Sequence, residues 1–399
     1  MVGCAVCYFS LFAFFPRQLQ RVGVVYLGIW NLDLYAILAS NDAVAHGISP
    51  YVANPFDPLH RPHVYSHWWL GLRHLGLTRG DASWLGFVLS AAFFAGAAAW
   101  LRPRSSREMF WYLVVLCSSP VLLAIHRANN DLLVFLLLLP VVPCVLAQNR
   151  LARFLSGPLV AVAAGLKFYP AVGGLAILGG TESPREKWRT LTVALVSLAV
   201  VALNVAPDLV RVGPILPKAE GLMTFGVVNL VNGEGPLTTL VALVCAGLVG
   251  LGFARSPLFK DWKVSDAQRR DWLHFILGAS LLVGCYLTSR NFAYRWIFAI
   301  WMAPWLWRIR NTPDTPRKLR RFAEVTAGLL LVALWFDPAA GMILTPLIGN
   351  LSDSAIEQWA NRIFWVEQPF TAALFVCLIG WLAHFTLRES RPLFRRAES

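Results

Sequence analysis

The chain has 399 residues, 57% hydrophobic and only 14% charged, with a mean hydropathy of +0.56, whereas a water-soluble globule is about half apolar and about a quarter charged, so composition excludes one and leaves a polytopic membrane protein. The net charge of +13 would suit nucleic acid, but basic cytoplasmic loops account for it, and no nucleic-acid partner is expected. Seven scattered cysteines, those at 117, 144, 245, 285 and 377 inside apolar runs, imply neither a disulfide framework nor a zinc site, and seventeen Trp suit rings placed at the membrane interfaces.

Apolar segments centre on about 3–27, 83–101, 109–125, 131–147, 190–210, 236–254, 272–288, 292–307, 322–336 and 366–387, several close to the roughly 20 residues that span a bilayer. The first is interrupted by Arg17 and Arg21, so it reads either as a full span or as a short helix followed by an interfacial one. No small-residue cleavage motif follows it, so no removed signal peptide is read. The stretch 31–51, NLDLYAILASNDAVAHGISPY, comes next. At 100° per residue, Leu34, Ile37, Leu38, Ala45 and Ile48 fall on one side and Asp33 at the N-terminal end. That predicts an external amphipathic helix at the interface, breaking at Gly47-Ile-Ser-Pro-Tyr, in which Asp33 either caps the helix or carries chemistry. The histidines of HRPHVYSHWWLGLRH, residues 60–74, look like a metal cluster, but their spacing is irregular and no metal site is expected.

The stretch 151–180 decides the topology. As one helix it places the basic loop TESPREKWR (181–189) opposite RPRSSR (102–107), whereas a hairpin turning at Lys167-Phe-Tyr-Pro puts both inside. The hairpin is the expectation, with arms of about 15 and 12 residues that fall short of a roughly 30 Å span. The result is an all-α helical bundle of about twelve spans, a single domain over 1–399 with both termini cytoplasmic. Its inner loops carry about 23 Lys and Arg against about 10 in the outer set. The external segments are then 28–82, 126–131, the Lys167 turn, 211–235, 289–295 and 337–361.

On that topology polar residues converge on one face: Asp33 and Asp42; His126-Arg127-Ala-Asn129-Asn130-Asp131; Lys167-Phe-Tyr169-Pro; the stretch 229–234; and Arg290-Asn291-Phe-Ala-Tyr294-Arg295. Charge at membrane depth is costly and marks a site. Arg127, Lys167, Arg290 and Arg295 together suit a phosphate. Plainer readings stand beside this one. Arg290 and Arg295 could snorkel at a span end, and Asn130 and Asp131 could cap the helix beginning at Leu132. Lys167 sits between apolar arms with no room for a solvated loop.

The pattern and its order resemble the C-superfamily (GT-C) membrane glycosyltransferases, specifically glycosyltransferase family 87, which includes polyprenol-phosphate-mannose-dependent α-mannosyltransferases. Asp33, Tyr35 and Gly47-Ile-Ser-Pro50-Tyr51 look like the family's first external loop, Asn-Asn-Asp before LLVFLLLL like its Gly-Asn-x-Asp segment, and AAGLKFYPAV (163–172) like its Ala-rich helix ending in Lys-x-Tyr-Pro. The resemblance implies Asp33 as catalytic base, the donor phosphate held by Arg127, Lys167, Arg290 and Arg295, substrate contacts from Tyr35, Asn130, Asp131, Tyr169 and Tyr294, and no cofactor or metal. The family's late-loop histidine has no counterpart in 289–295, and His274 lies deep on the cytoplasmic side of its span. The implied activity is inverting transfer of a sugar, mannose, from a polyprenyl-phosphate donor to a lipid or glycan acceptor. It would take place at the external face of a bacterial inner membrane, in the service of glycolipid and cell-envelope biosynthesis. The alternatives are a transporter or flippase of lipid-linked sugars and a polyprenyl-phosphate-arabinose-dependent arabinofuranosyltransferase.

Overall fold

The computed structural model describes residues 2–14, 24, 29–180, 183–217, 224–231, 235–260, 262–348 and 353–394. In chain order the helices are α1 (Val2–Phe14), α2 (Leu32–Ala45), α3 (Ala82–Trp100), α4 (Ser106–Leu116), α5 (Ser119–His126), α6 (Asp131–Leu138), α7 (Val141–Val145) and α8 (Arg150–Lys167). They continue with α9 (Pro184–Val212), α10 (Val228–Val231), α11 (Pro236–Arg255), α12 (Asp266–Thr288), α13 (Ala303–Asn311), α14 (Arg317–Ile348) and α15 (Asp353–Phe394). A two-residue antiparallel ladder pairs β1 (Thr224–Phe225) with β2 (Asn291–Phe292). Local chemistry sets the starts. Ser105, Asn149 and Ser183 each accept a backbone N–H of the first turn of the helix that follows, and Pro184 and Pro236 occupy first-turn positions where no N–H is needed.

Among the described residues, six helices are long and apolar enough to cross a bilayer, and seven if α4 and α5, bent by 58° at their junction, form one broken span. The expectation of about twelve spans counted shorter pieces. The segment 131–147 is two short helices divided at Pro140, and 292–307 is a 3-10 turn, Ala293–Trp301, followed by α13 with Pro304 in its first turn. Proline removes the N–H that a continuous helix would use. The hairpin is present: α8 turns at Phe168 into the 3-10 segment Tyr169–Gly179, and the two arms pack on each other. Residues 15–23 and 25–28, the remainder of the expected first span, lie outside the described residues.

Burial orders the bundle. The apolar window of α12 is 89% buried and that of α11 only 6%, so α12 is the central helix and α11 offers Leu237, Leu240, Leu248 and Leu251 outward, a surface that suits lipid rather than water. Five tryptophans depart from the interfacial expectation, while Trp84, Trp188, Trp359 and Trp365 are exposed. Trp272, Trp296, Trp301, Trp305 and Trp381 are fully buried, and Trp272 lies 4.8 Å from Trp305 and 5.6 Å from Trp381, ring centre to ring centre. They fill the space around α12 that its neighbours, broken by proline, leave irregular.

The helix α2 is enclosed by protein. Leu32, Asp33, Leu34, Ile37, Leu38, Ala39, Ser40, Asn41 and Ala43 are buried, because the segment 60–81 folds over its outer side. Asn41 fastens that cover, donating to the Trp69 carbonyl at 3.0 Å and accepting from the Arg73 N–H at 2.9 Å.

Candidate active site

The N-terminus of α2 docks on the C-terminus of α5: the Asn31 and Asp33 N–H groups donate to the His126 and Arg127 carbonyls at 3.2 and 3.0 Å. Each helix thereby satisfies backbone groups the other leaves open. Asn31 holds the left-handed conformation before the helix (φ 52°) and makes no side-chain cap. Its amide instead donates to the Ala82 carbonyl at 3.2 Å, in a space that exists because residue 86 is glycine; a Cβ there would stand 2.3 Å from Asn31 Cγ. Asp33 is therefore not the cap, and its carboxylate faces the 126–131 turn.

There it is gripped on every side. Arg127 donates to it twice, Nε to Oδ2 at 2.9 Å and Nη2 to Oδ1 at 2.7 Å; Asn129 Nδ2 donates to Oδ2 at 2.6 Å; and Arg61 Nη1 stands 3.5 Å from Oδ1. Three hydrogen bonds and one longer ion-pair contact thus meet a carboxylate that offers about four acceptor sites. Burial pushes the Asp33 carboxyl up, but the adjacent Arg127 guanidinium, the Arg127 and Asn129 hydrogen bonds and Arg61 outweigh it and hold the group below the ordinary aspartate range. Arg61 is itself fixed by Asp57, which accepts from Nε at 2.9 Å and Nη2 at 2.8 Å.

Asn129 connects this pair to a second one. Its Oδ1 accepts from Lys167 Nζ at 2.9 Å, and Lys167 also meets Asp131 Oδ1 at 2.6 Å. Tyr169 donates its hydroxyl to the same Asp131 oxygen at 2.6 Å, and the Arg295 guanidinium lies 4.6 Å over the Tyr169 ring. The rings of Tyr65 and Tyr294 stand 5.9 and 5.3 Å from the Lys167 ammonium. Backbone strain frames the cluster: Ala128 (φ 41°) and Phe168 (φ 63°) adopt a region L-residues avoid, one between Arg127 and Asn129 and the other between Lys167 and Tyr169. Such strain persists only where the surroundings impose it, and it concentrates at functional sites.

The charges do not cancel. Arg61, Arg127, Lys167 and Arg295 are four cations, and Asp33, Asp57 and Asp131 are three carboxylates. The uncompensated one is Arg295. Its Nη1 donates to the Cys285 sulfur at 3.3 Å, its Nε is buried without an acceptor, and among the described residues no carboxylate pairs with it.

Asp33, Arg127, Asp131, Lys167, Tyr169, Tyr294 and Arg295 are thus brought together. Tyr35 is not; it packs with Leu72, Leu77 and Leu85 around a separate apolar patch. Asn130 is buried beside the cluster with neither amide atom partnered, and it does not cap α6 through its side chain. Arg290 lies half-buried on the link between α12 and β2. Asp42 turns away and meets Arg79 Nε at 3.6 Å. Of the stretch 229–234, Asn229 is buried in α10, while residues 232–234 lie outside the described residues. His274 stacks on Trp100 at 3.6 Å, eleven residues and so about 16 Å along α12 from Cys285. The reading of the sequence passed over Arg61, Tyr65 and the linking role of Asn129. The spacing Asp57-x-x-x-Arg61, a side chain and its partner four apart, was the available signal for the first.

These features define an all-α membrane protein with a buried cluster that, among the described residues, holds four cations and three carboxylates. Residues 72–210, which include Arg127, Asn129, Asp131, Lys167 and Tyr169, match the model of glycosyltransferase family 87. The chain is 24% identical over 295 residues to the polyprenol-phosphate-mannose-dependent alpha-(1-2)-phosphatidylinositol pentamannoside mannosyltransferase of Mycolicibacterium smegmatis (strain ATCC 700084 / mc(2)155), a match spanning 71% of this chain and 65% of that protein. Both similarities are to glycosyltransferases and extend over part of the chain.

Proposed function

We propose that the chain is an inverting glycosyltransferase, moving mannose from a polyprenyl-phosphate donor to a hydroxyl of a lipid or glycan acceptor at the external face of a bacterial inner membrane. The observation that carries this reading is Arg295, a cation that no carboxylate among the described residues pairs with, set beside the Lys167–Asp131 pair. A polyprenyl-phosphate sugar is a phosphodiester with one negative charge, which complements the cluster's excess of one. Mannose is favoured by the relative's named donor.

The chemistry follows from the charges. The acceptor oxygen attacks the anomeric carbon, its proton passes to an Asp33 carboxylate oxygen, and the bond from that carbon to the phosphate oxygen breaks with the electron pair leaving on the phosphate. The leaving group gains a second negative charge as it departs, and Arg295, Lys167 and Arg127 stabilise that charge, so no general acid is required. Arg127 and Asn129 engage Asp33 through three hydrogen bonds, and Arg61 stands beside it as an ion-pair partner. The donor phosphate competes for the Arg127 guanidinium and frees one oxygen for the acceptor hydroxyl, so a bound donor is what turns Asp33 into a usable base. Tyr65, Tyr169 and Tyr294 supply ring faces and hydroxyls for the sugar.

The test is the purified protein in liposomes with radiolabelled polyprenyl-phosphate mannose and a membrane glycolipid extract as acceptor. One free polyprenyl phosphate should appear for each mannose transferred. Movement of intact donor across the bilayer without release of polyprenyl phosphate would mean a transporter, and transfer from the arabinose donor alone would overturn the choice of sugar.

A further inference from the structure

The end of the bundle remote from the cluster holds a second basic cavity. Along α3 the chain runs from Gly86, against Asn31, to Trp100, about 21 Å at 1.5 Å per residue. Where α3 ends and α4, α12 and α13 approach it, a cavity of about 390 Å³ opens, lined by Arg102, Arg104, Arg270 and Arg308 with Trp100 as its floor. One lining carboxylate, Asp271, is present, and it is paired with Arg308.

Two of the four guanidiniums, those of Arg102 and Arg308, have acceptors, and those of Arg104 and Arg270 have none among the described residues. Arg270 lies 4.4 Å over the Trp100 ring, and His274 stacks on the same ring at 3.6 Å. Arg102 is tethered to the Ala99 carbonyl at 3.1 Å. The side chains of Arg104 and Arg270 make no hydrogen bond among the described residues, and Arg308 Nε is buried without an acceptor. The N-terminal turns of α4 and α12, marked by Ser105 and Ser265, line the polar recess next to it, which shares Arg104 and Arg308; both present partial positive charge there. On the outer side of α4, Met109 and Phe110 are exposed beside the lining residues Glu108 and Tyr112, an apolar track leading away from the cavity.

We propose that this cavity binds the phosphate-bearing headgroup of an anionic membrane phospholipid, separately from the cluster around Asp33. Guanidiniums match phosphate oxygens with paired donors, and basic pockets between the ends of membrane helices are where such headgroups settle. The position among the ends of α3, α4, α12 and α13, with Met109 and Phe110 exposed on α4, favours a lipid over a soluble anion.

The test uses the full-length protein in neutral detergent, followed by thermal unfolding and native mass spectrometry during titration with phosphatidylglycerol, phosphatidylcholine or inorganic phosphate. Phosphatidylglycerol should raise the melting temperature and give a retained one-lipid adduct, with no comparable effect of phosphatidylcholine. In the Arg104→Gln/Arg270→Gln double variant the lipid should bind about thirty-fold more weakly, the loss expected from two charges at a membrane surface, whereas Arg104→Lys/Arg270→Lys should keep most of the binding and reports on folding. Equal affinity for the two lipids, or retention of the adduct in the Gln variant, overturns the proposal. Stabilisation by inorganic phosphate equal to that by the lipid would overturn the lipid assignment in favour of a soluble anion.

Discussion

At the scale of single residues, Asp33 carries the argument, and its neighbours make it testable. Asp33→Asn keeps the side chain's shape and removes its capacity to take a proton, so turnover should fall by roughly two to four orders of magnitude while donor binding largely persists, as titration of donor against the purified variant would show. Asp42, bound to Arg79 outside the cluster, should tolerate Asn. An active Asp33→Asn beside an inactive Asp42→Asn would assign the base to the other carboxylate. The sign of the pH effect is fixed as well. Because the Asp33 carboxyl is held below its usual value, the ionised form and its ion pair are complete above the unfolded value of about 3.9 and are lost only as pH falls through the lower folded value. Arg127→Gln removes the strongest opposition to burial, so the carboxyl rises and the acid limb of the kcat/KM profile should move to higher pH. An unmoved limb would mean that Arg127 does not control Asp33.

Elements place those residues, and here the sequence was informative in part. The Lys167 turn was legible because a lysine followed by Phe-Tyr-Pro between two apolar arms leaves few conformations. The pairing of Asp33 with Arg127 and Asn129 was not, because it joins positions 94 and 96 apart and leaves no periodic trace. The cover over α2 was missed for a different reason: its apolar residues could be met by lipid or by the folded segment 60–81, and hydropathy does not distinguish these. That cover is tied to α8, where Trp69 Nε1 donates to the Leu166 carbonyl at 3.0 Å and a Cβ on residue 165 would stand 2.2 Å from the Trp68 ring. Gly165→Ala must displace Trp68 and with it the strand of chain that brings Tyr65 to Lys167. A loss of about 1–3 kcal/mol in thermal unfolding is expected, with a raised KM for donor. Gly71→Ala, where a Cβ meets nothing within 4 Å, is the control and should change neither.

For the whole molecule, the bundle is a stack of long lipid-facing helices around α12, with short broken helices gathered where the charged cluster lies. The long helices were legible as apolar runs; the short ones were read as spans because hydropathy does not register the breaks that Pro140 and Pro304 impose. The proposed orientation, with the cluster external, follows from the bias of Lys and Arg among the loops. Cysteine placed at Lys167 and at Asp33, in a background without other thiols, should react with a small membrane-impermeant reagent added from outside. Labelling of both only from the cytoplasmic side would invert the orientation. The most direct measurement is the structure of the full chain with a non-transferable phosphonate analogue of polyprenyl-phosphate mannose. The phosphonate is expected within hydrogen-bond reach of Arg295 and Arg127, with an Asp33 oxygen released from Arg127 and facing the anomeric carbon from the opposite side. A phosphonate bound away from Arg295, with Asp33 still gripped at all four positions, would contradict it.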